Sequence, residues 1–308
     1  MQIEVAAEGL EFPEGPIAMP DGSVLLVEIK GRRLSRVMPD GTKRMVAVTG
    51  GGPNGAALGP DGAVYIANNG GMAFFERDGL TYSANLLPPD NVGGYIQRVD
   101  LATGELVRLY DNCEGQPLIA PNDLVVDRAG GFWFTDYGRA TATGRDFGAL
   151  YYARTDGTHI VKARSGLISP NGVGLSPDES QVYVSDTILG RLWAFGIAAP
   201  GELAPRCGPA PGKVVATLQG FQQLDSMAVE ADGKICVATL FNGGITIFDA
   251  DGSSEHVAVP DMGTTNICFG GADMRDAWIT GATTGRLFRC RWPRPGKILN
   301  FAVRGRQR

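Results

Sequence analysis

Residues 54–68 read NGAALGPDGAVYIAN, and variants of this pattern occur six times along the chain. Each copy opens with an acid or amide, passes through small and apolar residues to a turn, and ends on a polar residue after a second apolar run. Gly and Asp tolerate the positive φ angles of tight hairpins, so each copy predicts a strand, a turn and a second strand. The other copies are EGPIAMPDGSVLLVE (14–28), NDLVVDRAGGFWFTD (122–136), NGVGLSPDESQVYVSD (171–186), DSMAVEADGKICVAT (225–239) and NICFGGADMRDAWIT (266–280).

The spacing of the copies indicates the architecture. Successive copies begin 40, 68, 49, 54 and 41 residues apart, and a four-stranded propeller blade takes about 40–50 residues. Most copies are followed by another short strand pair, such as GGYIQRVDLATGE (93–105). We therefore predict an all-β fold in which residues 1–308 form a single six-bladed β-propeller domain with four-stranded antiparallel blades. The segment IEVAAE (3–8) is expected to supply the outer strand of the last blade, whereas a β-sandwich would not predict six copies of one pattern.

Composition supports this architecture and excludes several functions. The chain has 44 Gly and 19 Pro among 308 residues, too many for long helices. Its net charge is −5, and basic residues cluster only at Arg32-Arg33 and at Arg304, Arg306 and Arg308, which argues against nucleic acid as a partner. No apolar stretch approaches the ~20 residues of a membrane span, so no membrane partner is expected either.

The cysteines and the N-terminus suggest where the protein resides. The five cysteines have no CxxC spacing and read as reduced, mostly buried thiols; they are Cys113, Cys207, Cys236, Cys268 and Cys290. The first residues, MQIEVAAEGLEFPEG, carry acids and no apolar run, so we expect no signal peptide. The expected location is cytoplasmic.

The polar residue that opens each copy is the candidate site. The first strand of each propeller blade lines the central channel, so six equivalent strand starts converge near the axis. They are Glu14, Asn54, Asn122, Asn171, Asp225 and Asn266. Two carboxylates and four amides suit a hard cation such as Ca²⁺. Zn²⁺ would prefer His or Cys, and the two histidines, His159 and His256, are placed by the sequence in outer turns. A single Asn here would read as a turn residue, but two acids at one axis demand a cation or raised pKa values.

Four short motifs resemble one known family. They are PEGP with Glu14, PND with Asn122, SPNG with Asn171 followed by VSD, and LDSMAVEADG with Asp225. Together they resemble the family of gluconolactonases, senescence marker protein (regucalcin) and luciferin-regenerating enzyme. The resemblance implies a metal-centred propeller in which Glu14, Asn171 and Asp225 are metal ligands. Asn122 matches either a fourth ligand or a residue that contacts substrate.

The remaining ring positions and two departures from the family pattern bear on the substrate. Asn54 and Asn266 match no consistent ligand role and are expected to face substrate or to be structural. Sugar lactonases of the family have an arginine just before the Asn-Asp pair, where this chain reads IAPND (119–123). The related phosphatase branch has a histidine in its last blade, where this chain has Thr264, Thr265 and Asn266.

The resemblance implies a metal-dependent lactonase acting on a small lactone or ester. One divalent cation would activate carbonyl and water; Ca²⁺ is expected, with Mg²⁺, Mn²⁺ and Zn²⁺ as alternatives. Asp225 is the candidate catalytic base, and direct activation of water by the cation is the alternative. Rival functions are an organophosphate-type esterase, a non-enzymatic calcium-binding propeller, and a lyase or condensing enzyme on a related propeller that lacks this metal set.

An insertion in the second blade predicts a lid. Residues 70–94 lengthen this copy and carry apolar side chains, of which Phe74, with the adjoining Tyr95, is predicted to contact substrate. Long loops on a rigid scaffold often carry function, although packing on the rim is the alternative. A lid of this composition would favour a less polar lactone. Asp123 and Asp186 are expected to be strand caps or to support the ligands.

Overall fold

A computed structural model of the chain describes residues 1–84, 86–141, 143–206 and 208–302. Regular structure within these ranges consists of β-strands, and the large sheets are antiparallel blades of a six-bladed propeller. This confirms the predicted fold class.

In each of the first three blades, the chain forms the innermost strand first and the outermost strand last. Blade 1 consists of β2 (Pro13–Ala18), β3 (Val24–Glu28), β4 (Arg33–Val37) and β5 (Lys43–Val48), and it follows strand β1 (Ile3–Ala7). Blade 2 consists of β6 (Pro53–Leu58), β7 (Val64–Asn68), β10 (Tyr95–Val99) and β11 (Leu106–Tyr110), with the hairpin β8 (Phe74–Arg77) and β9 (Leu80–Ser83) inserted. Blade 3 consists of β14 (Pro121–Val126), β15 (Gly131–Asp136), β18 (Gly148–Arg154) and β19 (Ile160–Leu167). Two small hairpins flank its inner strands: β12 (Asn112–Cys113) with β13 (Gln116–Pro117), and β16 (Arg139–Ala140) with β17 (Arg145–Asp146).

The last three blades complete the circle. Blade 4 consists of β20 (Pro170–Leu175), β21 (Gln181–Asp186), β22 (Arg191–Ala199) and β24 (Lys213–Thr217), with the short β23 (Glu202–Leu203) also paired to β22. Blade 5 consists of β25 (Gln223–Val229), β26 (Ile235–Leu240), β27 (Gly244–Phe248) and β28 (Ser254–Ala258). Blade 6 consists of β29 (Thr264–Gly270), β30 (Asp276–Gly281), β31 (Arg286–Arg291) and the N-terminal β1.

The N-terminal strand closes the ring. Strand β1 pairs antiparallel with β31, bringing Ile3 opposite Cys290 and Val5 opposite Phe288. Because the N-terminal strand and the last three strands share one blade, the hydrogen bonds of β1 to β31 join the two ends of the propeller chain. The expectation for residues 3–8 is confirmed.

The repeated Asp-Gly element forms the turn between the two inner strands of a blade. In blade 1, Asp21 Oδ1 accepts the Ser23 backbone N–H at 3.1 Å, and Gly22 has φ of +80°. The third copy lacks an acid at the repeat position, and there Asp127 accepts the backbone N–H groups of Ala129 and Gly131 instead. A side-chain acceptor that fixes the turn explains why an acid recurs at this point.

The hydrophobic core is divided among the blade interfaces. In the described residues, clusters of buried apolar side chains lie between neighbouring blades, such as Leu25, Val27 and Ile66 between blades 1 and 2. Trp133 and Trp193 belong to the cluster between blades 3 and 4. Packing faces of adjacent sheets in this way holds each inner strand at a fixed position around the axis.

Some sequence expectations concern residues outside the axis. Cys113, Cys236, Cys268 and Cys290 are buried free thiols, while Cys207 and the terminal arginines lie outside the described residues. His159 lies in an exposed turn as expected, but His256 lies on the outer strand β28, opposite Thr246. The turn assignment of His256 was therefore wrong, because this outer strand extends past the predicted turn. Among the described residues, no helix is long and apolar enough to cross a membrane.

Candidate functional site

The six predicted ring residues occupy equivalent places in the structure. Glu14, Asn54, Asn122 and Asn171 are the second residues of their inner strands, whereas Asp225 and Asn266 are the third. All six are at most 9% exposed. The pairing of each inner strand with its neighbour shifts register at this level, as between Pro121 and Leu124 in blade 3. The same irregularity recurs at all six ring positions, and a bulge of this kind bends a strand and re-aims a side chain.

Contacts across blade boundaries bring these strand starts together. Asn266 Nδ2 donates to Glu14 Oε2 at 2.8 Å, which joins blade 6 to blade 1. Between blades 4 and 5, Ser226 Oγ donates to Asn171 Oδ1 at 3.4 Å. Asn171 in turn hydrogen-bonds the Asp225 carboxylate and lowers its pKa somewhat against the effect of burial. The structure therefore gathers residues more than 200 positions apart into one buried polar ring.

Glycines next to the ring residues permit this approach. A Cβ atom on Gly55 would lie 2.6 Å from the Cα atom of Asp123, and one on Gly172 would lie 2.6 Å from the Cα atom of Ser226. Both distances are far below van der Waals contact with backbone atoms that cannot move freely. Glycine after the ring residue is thus needed where one inner strand crosses the next.

Three carboxyl groups lie in the axial region, one more than the ring pattern predicted. Asp123 follows Asn122 at the bulge of β14, is 6% exposed, and accepts the Leu124 N–H at 2.8 Å. Its other oxygen accepts the Val173 N–H at 3.4 Å from the neighbouring blade. Sequence spacing suggested a cap or supporting role because Asp123 stands one position after the ring residue. The bulge, which the spacing does not reveal, brings it into the electrostatics of the axis.

The three acids carry unusual pKa values. Burial raises the pKa of Asp123 to about 7 and that of Asp225 to about 7. Burial, and then the charge of Asp225, raise the pKa of Glu14 well above its ordinary value, despite the hydrogen bond from Asn266. Close carboxylates out of water disfavour the charged form, and a cation between them would reverse that preference.

The donor set fits a hard divalent cation. Asn122 Oδ1 is buried and has no hydrogen-bond partner among the described residues, which leaves a strong acceptor available for another ligand. The described residues hold no group of three or more His, Cys, Asp or Glu side chains with metal-binding geometry. A cation at this ring would therefore combine carboxylate with amide oxygens, the mixture that Ca²⁺ accepts more readily than Zn²⁺.

The structure places the three other residues predicted to contact substrate, Asn266, Tyr95 and Asn54, in different surroundings. Asn266 uses its amide internally, since Nδ2 donates to Glu14 and Oδ1 accepts the Ile267 N–H at 2.8 Å. That position matches the structural alternative rather than substrate binding. Tyr95 is also misplaced as a substrate contact: it is buried in the third strand of blade 2, where its hydroxyl donates to the Thr49 carbonyl at 3.3 Å. Asn54 lies in the ring with a buried amide.

The inserted hairpin lies on the face where the inner strands begin. Phe74 packs on Phe12, two residues before Glu14, with ring centroids 4.9 Å apart. The hairpin also reaches blade 6, where the Thr81 N–H donates to the Thr283 carbonyl at 3.0 Å. It thus connects blades 2, 1 and 6 on the face where the inner strands begin.

Polar residues at the ends of the second strands are structural caps. Asp186 accepts the backbone N–H groups of Ile168 and Ser169, and Asp136 accepts those of Ile119 and Ala120. Each carboxylate fixes the segment that leads into the inner strand of its own blade. The cap expected for Asp186 is present, and it positions Asn171 through the backbone.

Tyr137 lies near the axial carboxylates, although the sequence did not suggest it as a site residue. It follows β15 on the ring face, and the guanidinium of Arg145 lies 4.8 Å from its ring centre. Arg145 also donates to the Tyr137 carbonyl at 2.6 Å. Burial raises the pKa of Tyr137, Arg145 lowers it, and Asp225 raises it, which places the phenol near the axial carboxylates. Nothing in the repeat pattern marks this position.

Below the ring, the channel becomes apolar. A cavity of about 110 Å³ extends from Asp123 and Asn266 to the C-terminal segment, where Leu299, Asn300 and Phe301 line its far end. Asn300 Nδ2 donates to the Val126 carbonyl at 3.0 Å and holds this segment under the inner strands. Approach to the ring is therefore favoured from the strand-start face.

A β-propeller with a buried carboxylate-amide ring at its axis defines the class of this protein. Residues 12–283 match the model of the SMP-30/Gluconolactonase/LRE-like region, and the chain belongs to this family. Over 294 residues it is 27% identical to a gluconolactonase of Zymomonas mobilis, which covers 87% of this chain and 76% of that relative.

Solved structures show the same fold. A gluconolactonase of Xanthomonas campestris superposes with a TM-score of 0.74 at 24% identity, covering 94% of this chain and 89% of that one. A calcium-binding regucalcin of Agrobacterium tumefaciens superposes with a TM-score of 0.72 at 21% identity, covering 94% and 92%. The resemblance drawn from the four motifs is confirmed.

Proposed function

We propose that this protein is a lactonase that holds one divalent cation, Ca²⁺, at the axial ring. Three observations support the proposal: Glu14 and Asp225 interact electrostatically, Asn171 hydrogen-bonds Asp225, and Asn122 Oδ1 is buried and unpartnered in the described structure. The similarity to a gluconolactonase supports lactone hydrolysis as the reaction class. The calcium-binding structural neighbour supports the choice of ion.

Glu14, Asn122, Asn171 and Asp225 would hold the cation. When bound, a divalent cation neutralises the buried carboxylates and polarises an ester carbonyl. Asn266 holds Glu14 in place through its amide, and Asn171 orients the Asp225 carboxylate. Asn54 is the ring amide left to face the substrate.

Asp225 is proposed as the general base. Its carboxylate would accept a proton from the water that attacks the lactone carbonyl carbon, and the ring C–O bond then breaks. The proton passes to the departing oxygen, so one water and one lactone give one hydroxy acid. Burial raises the pKa of Asp225 in the metal-free site, and Asn171 hydrogen-bonds the carboxylate that would take and release the proton.

A chelation experiment tests this function. Protein treated with a Ca²⁺ chelator is assayed on a panel of γ- and δ-lactones, before and after adding Ca²⁺, Mg²⁺, Mn²⁺ or Zn²⁺. We expect turnover to disappear on chelation and to return with Ca²⁺. Turnover that survives complete metal removal would refute the role of the cation.

A pair of asparagine variants sharpens the test. Asn122→Ala should raise the Ca²⁺ concentration for half-maximal activity by roughly tenfold or more, the equivalent of about 1.4 kcal/mol of lost binding. Asn112→Ala, in the exposed hairpin between blades 2 and 3, is the matched control and should leave it unchanged. Equal Ca²⁺ dependence in the two variants would remove Asn122 from the ligand set.

A non-enzymatic calcium-binding propeller is the second candidate, favoured by the calcium-binding neighbour. It predicts tight Ca²⁺ binding by calorimetry with no metal-dependent turnover on any lactone. The organophosphate alternative gains no support from the histidines, since His159 and His256 are both exposed and lie away from the inner strands.

A further inference from the structure

Exposed phenylalanines concentrate on one face of the propeller. Among the described residues, Phe75, Phe147, Phe221 and Phe241 each have at least 45% of their surface exposed. All four lie in connections at the end where the inner strands begin, which is the face of the ring. Aromatic side chains are expensive to leave in water, so their clustering around a site indicates an apolar ligand.

Two aromatic pairs come from opposite sides of the propeller. Phe12 and Phe74 join blades 1 and 2, and Phe221 and Phe241 join the entry and exit loops of the inner strands of blade 5, with centroids 4.8 Å apart. In a six-bladed ring, blade 5 stands across the axis from blade 2. On this face of the propeller, the two pairs therefore belong to blades on opposite sides of the axis.

Each pair continues directly into the ring. Phe12 precedes Pro13 and Glu14 at the start of β2. Phe241 follows β26, the strand paired with the one that carries Asp225, and its N–H donates to the Met262 carbonyl of blade 6 at 2.8 Å. Each aromatic pair thus lies next to an inner strand that carries one of the ring acids.

The backbone at both pairs is strained. Phe12 has φ of +62° and Phe241 has φ of +73°, in the left-handed region that bulky residues disfavour. The other non-glycine residues with positive φ in the described chain are Arg32, Asp78, Glu114, Glu179 and Met274, none of them aromatic. Strain of this kind persists where the surroundings require it and concentrates at ligand-binding sites.

The lid holds its aromatic face in place. Lys30 of blade 1 pairs with Glu76 of the hairpin at 2.6 Å, and Phe75 stacks on Tyr82 with centroids 5.3 Å apart. Together with the Thr81–Thr283 backbone bond, these contacts fix the hairpin at both sides of the mouth. The apolar surface is preformed, which reduces the entropy lost when a ligand binds.

We propose that the substrate is a lactone bearing a bulky apolar substituent, either an alkyl chain or an aromatic group. The two phenylalanine pairs hold this substituent while the lactone carbonyl lies at the axial carboxylates and amides. This inference rests on the proposed lactonase function. The polar ring recognises the ester, and Phe74 and Phe241 determine the specificity. Ala120, just before Pro121 and Asn122, adds no hydrogen-bonding group for a sugar hydroxyl at this mouth.

Two δ-lactones with the same reacting ring test the proposal. δ-Valerolactone is compared with δ-nonalactone, which adds a four-carbon chain, both below their aggregation concentrations and with Ca²⁺ present. We expect kcat/KM to be at least about tenfold higher for δ-nonalactone, since each buried methylene contributes up to about fourfold. A preference for δ-valerolactone or for glucono-δ-lactone would overturn the assignment.

Substitutions test whether the Phe221–Phe241 pair causes the preference for δ-nonalactone. Phe241→Asn with Phe221→Ser removes both rings, and asparagine accepts the positive φ, so the fold is expected to persist. The double variant should lose most of the δ-nonalactone preference, measured as the ratio of the kcat/KM values for the two lactones. Leu106→Ser, on the outer strand of blade 2, is the control and should retain the preference. An unchanged preference in the double variant would refute the role of the pair.

A binding measurement separates this inference from the lactonase proposal. Calorimetry compares piperidin-2-one with 6-butylpiperidin-2-one, lactams that resist hydrolysis, in the wild type and the double variant. Tighter binding of the butyl compound to wild type alone supports the apolar site even if no lactone is turned over. Equal binding of the two lactams to wild type would overturn the apolar site even if lactones are hydrolysed.

Discussion

Replacing Asp225 by Asn should abolish activity and yet stabilise the metal-free protein. Asp225 is buried beside Glu14 and Asp123, and its pKa is raised to about 7. A carboxyl with a raised pKa binds its proton more tightly in the folded state than in the unfolded chain. The contribution of this protonated carboxyl to the free energy of unfolding is therefore fully present below the unfolded pKa of about 3.9. It is lost as pH rises through the folded pKa of about 7. Asparagine has no proton to lose.

The magnitude follows from the pKa. Ionising one carboxyl whose pKa has moved from 3.8 to about 7 removes about 4 kcal/mol of folding free energy. This is a ceiling, because the neighbouring acids share the repulsion and side chains relax. A gain of about 1–3 kcal/mol at pH 8 would raise the melting temperature by roughly 2–5 °C in a domain of 308 residues.

Thermal unfolding in chelator at pH 8 and pH 5 provides the assay. Asp225→Asn should melt higher than wild type at pH 8 and by roughly a third of that margin at pH 5, where wild type keeps Asp225 protonated when folded and loses the proton only on unfolding. Saturating Ca²⁺ should reverse the order at pH 8, because wild type alone gains the full metal-binding energy. Asp178→Asn, at a turn where serine hydrogen bonds lower the pKa to about 2, is the control and should not stabilise at pH 8. A lower melting temperature for Asp225→Asn in chelator at both pH values would refute the repulsion among the axial acids.

Two further substitutions test how the scaffold positions the ring. Gly55→Ala should lower stability by about 1–3 kcal/mol and weaken Ca²⁺ binding, because its Cβ would lie 2.6 Å from the Asp123 Cα. Gly144→Ala should be tolerated, since its Cβ would meet only Thr141 Oγ1, at an ordinary contact distance of 3.9 Å. Equal melting temperatures for the two variants would contradict the close strand approach. Glu28→Gln should cost about 2–4 kcal/mol at pH 7, since the buried carboxylate accepts two bonds from Arg33 at 2.8 and 2.7 Å and the Glu11 N–H. Because the pKa of Glu28 is lowered, that difference should shrink as pH falls below about 4, and a pH-independent difference in urea unfolding would argue against a charge effect.

The fold was predictable because its information is local and repeated. Each blade needs a hairpin turn at its inner edge, and the aspartate that fixes the turn recurs in the sequence, as at Asp21. Six local patterns with near-constant spacing leave few alternative architectures. The N-terminal strand was predictable for the same reason, because the last blade has three strands without it.

The ring residues were also predictable in position, though not in role. Equivalent strand starts must approach one axis, so Glu14 and Asp225 could be paired from sequence. How each amide is used depends on its neighbours: Asn266 is committed to Glu14, while Asn122 keeps a free oxygen in the described structure. Identical side chains at equivalent positions therefore differ in function through contacts that spacing cannot specify.

What the sequence alone determined is the repeat, and hence the number of blades and the level at which polar groups meet. What only the tertiary structure decided is which groups outside the repeat join them. Asp123 joins the axial acids at a bulge, and Tyr137 comes close to Asp225 on a loop held by Arg145. The left-handed backbone of Phe241 could not be read from the repeat either. Tyr95, predicted at the mouth, is instead buried in its blade. Hydrogen-bonded turns are encoded within a few residues, whereas the convergence of loops from different blades depends on packing over the whole ring.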